Sequence, residues 1–242
     1  MAKKQPRWYF SFRSPYSWFA YRELTEHHKD IAEAISWIPS WEPDEAGVRA
    51  LAERGIELPY VAMSKDKHLY VLQDARRLSR ARGLAMTWPI DRAPHWDVAH
   101  LSYFVADAEG KGREFIDAVY RARWEQGREI SDPATMAELA VELGLDPVRV
   151  AGAVNDPEVR EQGLAVLTAG YRDSVFGVPF FIQGYHKFWG IDRLDAFVTG
   201  LRAELTGKPE TAAPQAPQEE AAQTALTAMA PAADAGHAGG CG

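Results

Sequence analysis

Strand-like sequence is confined to the two ends of the folding part of this chain, with a long helical stretch between them, and this distribution most limits the fold. Trp8-Tyr9-Phe10-Ser11-Phe12 alternates bulky apolar with smaller residues and reads as a strand. Ser14-Pro15 then starts a helix, since Ser can cap free amide groups and Pro lacks an N–H that would go unsatisfied at the first helical position. That helix runs to about His28, with Trp18, Phe19, Ala20, Tyr21 and Leu24 as its buried face, and Ala34-Ile35-Ser36-Trp37-Ile38 reads as a second strand. A β-α-β unit of this kind makes its strands parallel with a right-handed crossover.

From Pro43 to Tyr171 the period is helical, with segments at 44–54, 66–82, 96–108, 112–126, 133–143, 147–153 and 157–172. Asp132-Pro133, Asp146-Pro147 and Asp156-Pro157 each place a capping acid before a Pro, and Gly83, Gly127 and Gly144 stand where helices should stop. No internal repeat links these helices, which disfavours a solenoid. Strand character returns at Val178-Pro179-Phe180-Phe181-Ile182-Gln183, and Gly184-Tyr185 turns the chain into His186-Lys187-Phe188-Trp189-Gly190, a hairpin. A last helix runs from Asp192 to Leu205. The order predicts an α/β protein, a thioredoxin-like domain (residues 7–42 and 173–206) carrying a large all-helical insertion (43–172). All the aromatic residues lie between Trp8 and Phe197, and 207–242 is rich in Ala, Pro and Gly, so a disordered tail is expected there.

Twenty-seven basic against 34 acidic residues give a net charge of −7, without the positive footprint that nucleic-acid binding requires. No apolar run approaches the roughly 20 residues needed to cross a bilayer, and the first residues lead into a strand with no secretory apolar region, so no membrane partner and a cytoplasmic location are expected. The single cysteine, Cys241, excludes an internal disulfide, a Cys-x-x-Cys pair and a cysteine-based zinc site.

Ser14-Pro15-Tyr16-Ser17 occupies the spot where a thioredoxin-fold redox enzyme carries Cys-x-x-Cys. Amide groups and the helix dipole there favour an anion, and a Ser hydroxyl can donate to a bound thiolate without being oxidised. Ser14 is therefore the candidate catalytic residue. Ser17, one turn on, is expected to bond back to its own helix. Arg13 is the candidate cation for a developing enolate or a substrate carboxylate, Tyr16 a candidate substrate contact, and Trp88, with Trp96, a candidate roof for an apolar substrate. His95 and His100 are five apart and do not share a helix face, so no metal is expected. The basic run Arg76–Arg82 reads as a solvated helix face.

Phe10-Ser11-Phe12-Arg13-Ser14-Pro15-Tyr16-Ser17-Trp18, Gly177-Val178-Pro179-Phe180-Phe181 and Phe188-Trp189-Gly190-Ile191-Asp192-Arg193-Leu194 resemble the three signature blocks of the 2-hydroxychromene-2-carboxylate isomerase and kappa-class glutathione transferase family, over about residues 7 to 205. The resemblance implies a thioredoxin fold with an inserted helical domain, a homodimer, and glutathione as cofactor with Ser14 stabilising its thiolate. It implies that the backbone of Val178, before a cis-proline at Pro179, pairs with the cysteinyl part of glutathione, that Asp192 holds its α-amino group, and that Lys67 reaches its glycyl carboxylate. Ile191 stands where the family usually has a polar residue, leaving only a backbone N–H there. The segment Ile56-Glu57-Leu58-Pro59 lacks the family's ligand-touching Asn, and Glu57 would repel a carboxylate if it faced the site. The implied activity is glutathione-dependent cis-trans isomerisation of a conjugated unsaturated carbonyl compound, aromatic or polyketide-like. The alternatives are a kappa-type glutathione transferase or a redox-inactive binding module for a biosynthetic intermediate.

Overall fold

A computed structural model describes residues 5–59, 63–92 and 94–207. The expected disordered tail lies, apart from Gly207, outside the described residues. β1 (Arg7–Phe10) leads into α1 (Pro15–His27), the short α2 (Lys29–Ala34) and β2 (Ser36–Pro39). Helices α3 (Glu45–Glu53), α4 (Lys65–Ala81), α5 (Asp97–Ala108), α6 (Gly112–Tyr120), α7 (Pro133–Glu142), α8 (Pro147–Gly152) and α9 (Pro157–Arg172) follow. The chain then returns to β3 (Phe180–Gln183), β4 (His186–Trp189) and α10 (Leu194–Thr206).

The strands form one mixed sheet in the order β2-β1-β3-β4, with β1 parallel to β2 and antiparallel to β3. Side chains alternate across it. Trp8 and Phe10 enter the larger core, where Trp8 meets Trp37 edge-on at 4.7 Å and Phe10 meets Tyr103 at 6.0 Å. Tyr9 points to the opposite face, among Val175, Val178, Phe180 and Ile182, and its hydroxyl donates to Asp173 at 2.6 Å. Burying each such aromatic contributes about 2 kcal/mol.

The expected helix starts have a visible cause. Asp132, Asp146 and Asp156 each accept hydrogen bonds from backbone amides in the first turns of α7, α8 and α9. α9 turns Val159, Gly163 and Leu167 inward, and a Cβ at Gly163 would sit 2.7 Å from Leu101 and 3.2 Å from Trp41, so the helix approaches only because that side chain is missing.

Three expectations shift. The first strand stops at Phe10 rather than Phe12, because the backbone groups of Ser11 and Phe12 are taken by side chains of later helices. Residues from Lys29 to Ala34 form α2, so the second strand begins only at Ser36. The helix expected over 112–126 ends as an α-helix at Tyr120 and continues as a π-helical turn, Arg121–Glu125, where Trp124 reaches the first loop.

Candidate functional site

Ser14 ends the β1–α1 loop as the N-cap of α1. Its Oγ accepts the Ser17 N–H at 3.2 Å, and Pro15 follows at the first helical position. Among the described residues the Ser14 hydroxyl proton has no acceptor. Ser14 is fully buried. Ser17 does not bond back to its own helix as expected. Its Oγ instead accepts the Ser11 N–H at 3.3 Å, tying the first turn of α1 to the end of β1.

Side chains from α5, α6 and the π-helical turn hold this loop. Tyr120 donates from its hydroxyl to the Ser11 carbonyl at 3.2 Å, and Trp124 Nε1 donates to the Phe12 carbonyl at 3.2 Å. The Phe12 N–H donates to His100 Nε2 at 3.1 Å, which fixes the ring proton on Nδ1, where it is donated to the Trp96 carbonyl at 2.6 Å. Ser11 Oγ lies 3.2 Å from the same Nε2. Burial first, then the nearby Arg123 and Arg13 charges, push the His100 pKa down to about 3 against the opposing hydrogen bond to Trp96, so the ring is neutral at ordinary pH. None of these anchors was legible as such: His100 drew attention only as a partner for His95.

Beside the loop opens a cleft of about 730 Å³. Ser11, Arg13 and Glu42 line one part and Gly177 and Val178 another; α3, the segment after it and α9 complete the wall. The strand register, with Tyr9 opposite Phe180, sets Val178 and Pro179 beside the end of β1. The Val178–Pro179 peptide bond is cis. Neither backbone polar group of Val178 has a hydrogen-bond partner among the described residues, whereas the Pro179 carbonyl accepts the Gly190 N–H at 2.9 Å. Arg13 Nη1 meets Glu42 Oε2 at 3.2 Å, and the Arg13 guanidinium lies 5.2 Å from the Trp96 ring centroid.

The structure thus brings Arg13 and Val178 into one wall, with Ser14 and Pro179 as their chain neighbours. Four other expected residues are not in that wall. Tyr16 is buried and donates to Asp74 at 2.7 Å. Lys67 sits half-buried in the first turn of α4. Asp192 is exposed in a 3-10 turn before α10, 3.1 Å from Arg193. Trp88 packs edge-on against Trp124 at 5.5 Å. Glu57, in contrast, does line the cleft. One described cluster has metal-ligand chemistry: atoms of Asp44, His95 and Asp97 lie within 4.8 Å of one another. Its positive charge already comes from Arg160, 2.8 and 3.0 Å from the two Asp44 oxygens, which with the Gly47 N–H outweighs burial and lowers the Asp44 pKa.

The chain matches the DSBA-like thioredoxin domain across residues 7–202. Curated relatives named 2-hydroxychromene-2-carboxylate isomerase come from Sphingobium xenophagum, 26% identical over 188 residues (77% of this chain and 92% of the relative), and Pseudomonas putida, 24% identical over 190 residues (77% and 88%). A solved 2-hydroxychromene-2-carboxylate isomerase superposes with a TM-score of 0.65 at 20% identity, covering 84% of this chain and 98% of that one. Cytosolic disulfide reductase DsbM from Pseudomonas aeruginosa, solved with GSH, superposes with a TM-score of 0.55 at 15% identity, covering 83% and 98%. With strands, cis-proline loop and helical segment in one thioredoxin arrangement and the match running through all of them, the chain belongs to the DSBA-like thioredoxin domain family.

Proposed function

We propose that this protein is a glutathione-dependent cis-trans isomerase of a conjugated unsaturated carbonyl compound. The observation that carries the reading is the backbone of Val178 in the cleft wall, without a hydrogen-bond partner among the described residues, beside the cis-proline and the Ser14 loop. A peptide-like ligand satisfies such an edge by pairing with it as an added strand would. The fold accommodates glutathione in the DsbM structure, which carries GSH, and the curated relatives are named for an isomerisation.

The cysteinyl backbone of glutathione would pair with Val178, and the uncommitted Ser14 hydroxyl at the α1 N-terminus would donate to its sulfur, holding it as thiolate. When bound, glutathione supplies a nucleophile that turns a double bond into a rotatable single bond and is then expelled, so no redox equivalent is consumed. Transfer of glutathione to an electrophile, as in a kappa-type transferase, uses the same half of the site. A single cysteine leaves no two-cysteine centre within the chain. No described helix is long and apolar enough to cross a membrane. A cytoplasmic homodimer completes the proposal, and sedimentation at two protein concentrations tests the dimer.

Two observations favour the second reading, a redox-inactive binding module: Ser14 is fully buried and absent from the cleft wall, and Glu57 lines the cleft that the carboxylates of glutathione would enter. Calorimetric titration separates the two. The isomerase reading expects heat on adding millimolar glutathione and loss of thiolate absorbance in Ser14→Ala. No heat, together with unchanged activities in Ser14→Ala, leaves the binding module.

A further inference from the structure

An apolar part of the cleft is built by Val48, Leu51, Ile56, Leu58, Leu167 and Tyr171. The cleft as a whole, at about 730 Å³, has room for a ring-bearing molecule, and Val48, Tyr171 and Phe176 leave large apolar surface exposed along it. The charged residues among those described in the whole lining are Arg13, Glu42 and Glu57. Arg13 is matched by Glu42, which leaves Glu57 as the surplus charge. The adjoining Tyr60-Val61-Ala62 brings no charge by sequence.

We infer that this cleft selects an uncharged conjugated carbonyl compound and disfavours one bearing a carboxylate, the group in the name of the curated relatives' compound. The inference rests on the reading that the cleft receives the carbonyl substrate, and it adds the charge class of that substrate. A carboxylate entering the apolar wall would lose water, find Arg13, the cation among the described lining residues, occupied by Glu42, and meet Glu57 at like charge. A neutral ring of the same size has no charge to strip of water there and gains apolar contact.

The test uses a matched pair, 2-hydroxychromene-2-carboxylate and its analogue with methyl in place of the carboxylate. Each is titrated into the full chain with tryptophan fluorescence as readout, with and without glutathione. The methyl compound should bind about tenfold more tightly, the size of one close like-charge interaction at a partly exposed site. Glu57→Gln should narrow that ratio and Glu57→Lys should reverse it, with the methyl compound's own affinity unchanged in both. Equal or tighter binding of the carboxylate by the unaltered protein overturns the inference, as does binding of neither compound. A separate glutathione titration decides the thiol reading on its own, so a protein that binds the methyl compound selectively but ignores glutathione keeps the charge selection and loses the proposed isomerase.

Discussion

The loop that carries Ser14 and the cleft wall around Val178 lie side by side and are built on opposite principles. In the loop, the backbone groups of Ser11 and Phe12 are met by Tyr120, Trp124 and His100. At Val178 the backbone has no described partner at all. Buried polar groups are almost always paired, so the first arrangement specifies one geometry, while the second is what a surface looks like when a ligand is to complete it. The helices between the two strand regions, remote in sequence, therefore do more than cover the sheet: they fasten the loop that carries Ser14.

The contrast can be broken most forcefully at His100. Replacing it with Ala opens a cavity and strands the Phe12 N–H, at a cost of about 3 kcal/mol by urea unfolding. Tyr120→Phe, which removes only the hydroxyl that donates to the Ser11 carbonyl, should cost far less, and equal losses would mean that the bonds to the loop matter more than the volume of the ring. The same histidine makes a pH test. Burial holds its folded-state pKa down at about 3, below the 6.5 of a free imidazole, so the unfolded chain takes up the proton first. Its contribution is intact above 6.5 and is lost as pH falls towards 3, at about 1.4 kcal/mol per pH unit from this one group. Unfolding of His100→Gln at pH 7 and pH 5 should show a shallower loss than the unaltered protein.

A smaller effect is expected at the boundary between the two regions. Ser14→Ala removes the N-cap of α1 and should lower stability by about 1 kcal/mol, with a rise in the thiol pKa of bound glutathione as its second readout. Smallest is the Arg13–Glu42 pair, about a third exposed on both sides, where Glu42→Gln should change stability by less than about 1 kcal/mol. A large change there would show that the cleft rim is as tightly built as the loop.

The elements whose cause is local could be read from the chain. Asp-Pro pairs mark the starts of α7, α8 and α9 because cap and proline act within a few residues. Ser14-Pro15 shows the start of α1 for the same reason. The π-helical turn could not be read, since its cause is a bond from Trp124 to a loop more than a hundred residues earlier. His100 was hidden likewise: within α5 it looks like a polar interruption between Ala99 and Leu101, and only the fold supplies the Phe12 amide. The cleft is more distant still from sequence logic. Glu42, Glu57, Leu167 and Val178 share a wall through packing, and no spacing along the chain announces it.

Because His100 fastens the loop as a neutral ring through short hydrogen bonds, that fastening carries no net charge for mobile ions to screen. The cleft rim is held instead by the half-open Arg13–Glu42 ion pair, whose strength falls as ionic strength rises over a Debye length of about 10 Å at 0.1 M. The two fastenings therefore answer differently to salt: raising its concentration weakens the ion pair at the rim while the bonds that hold the serine loop keep their strength.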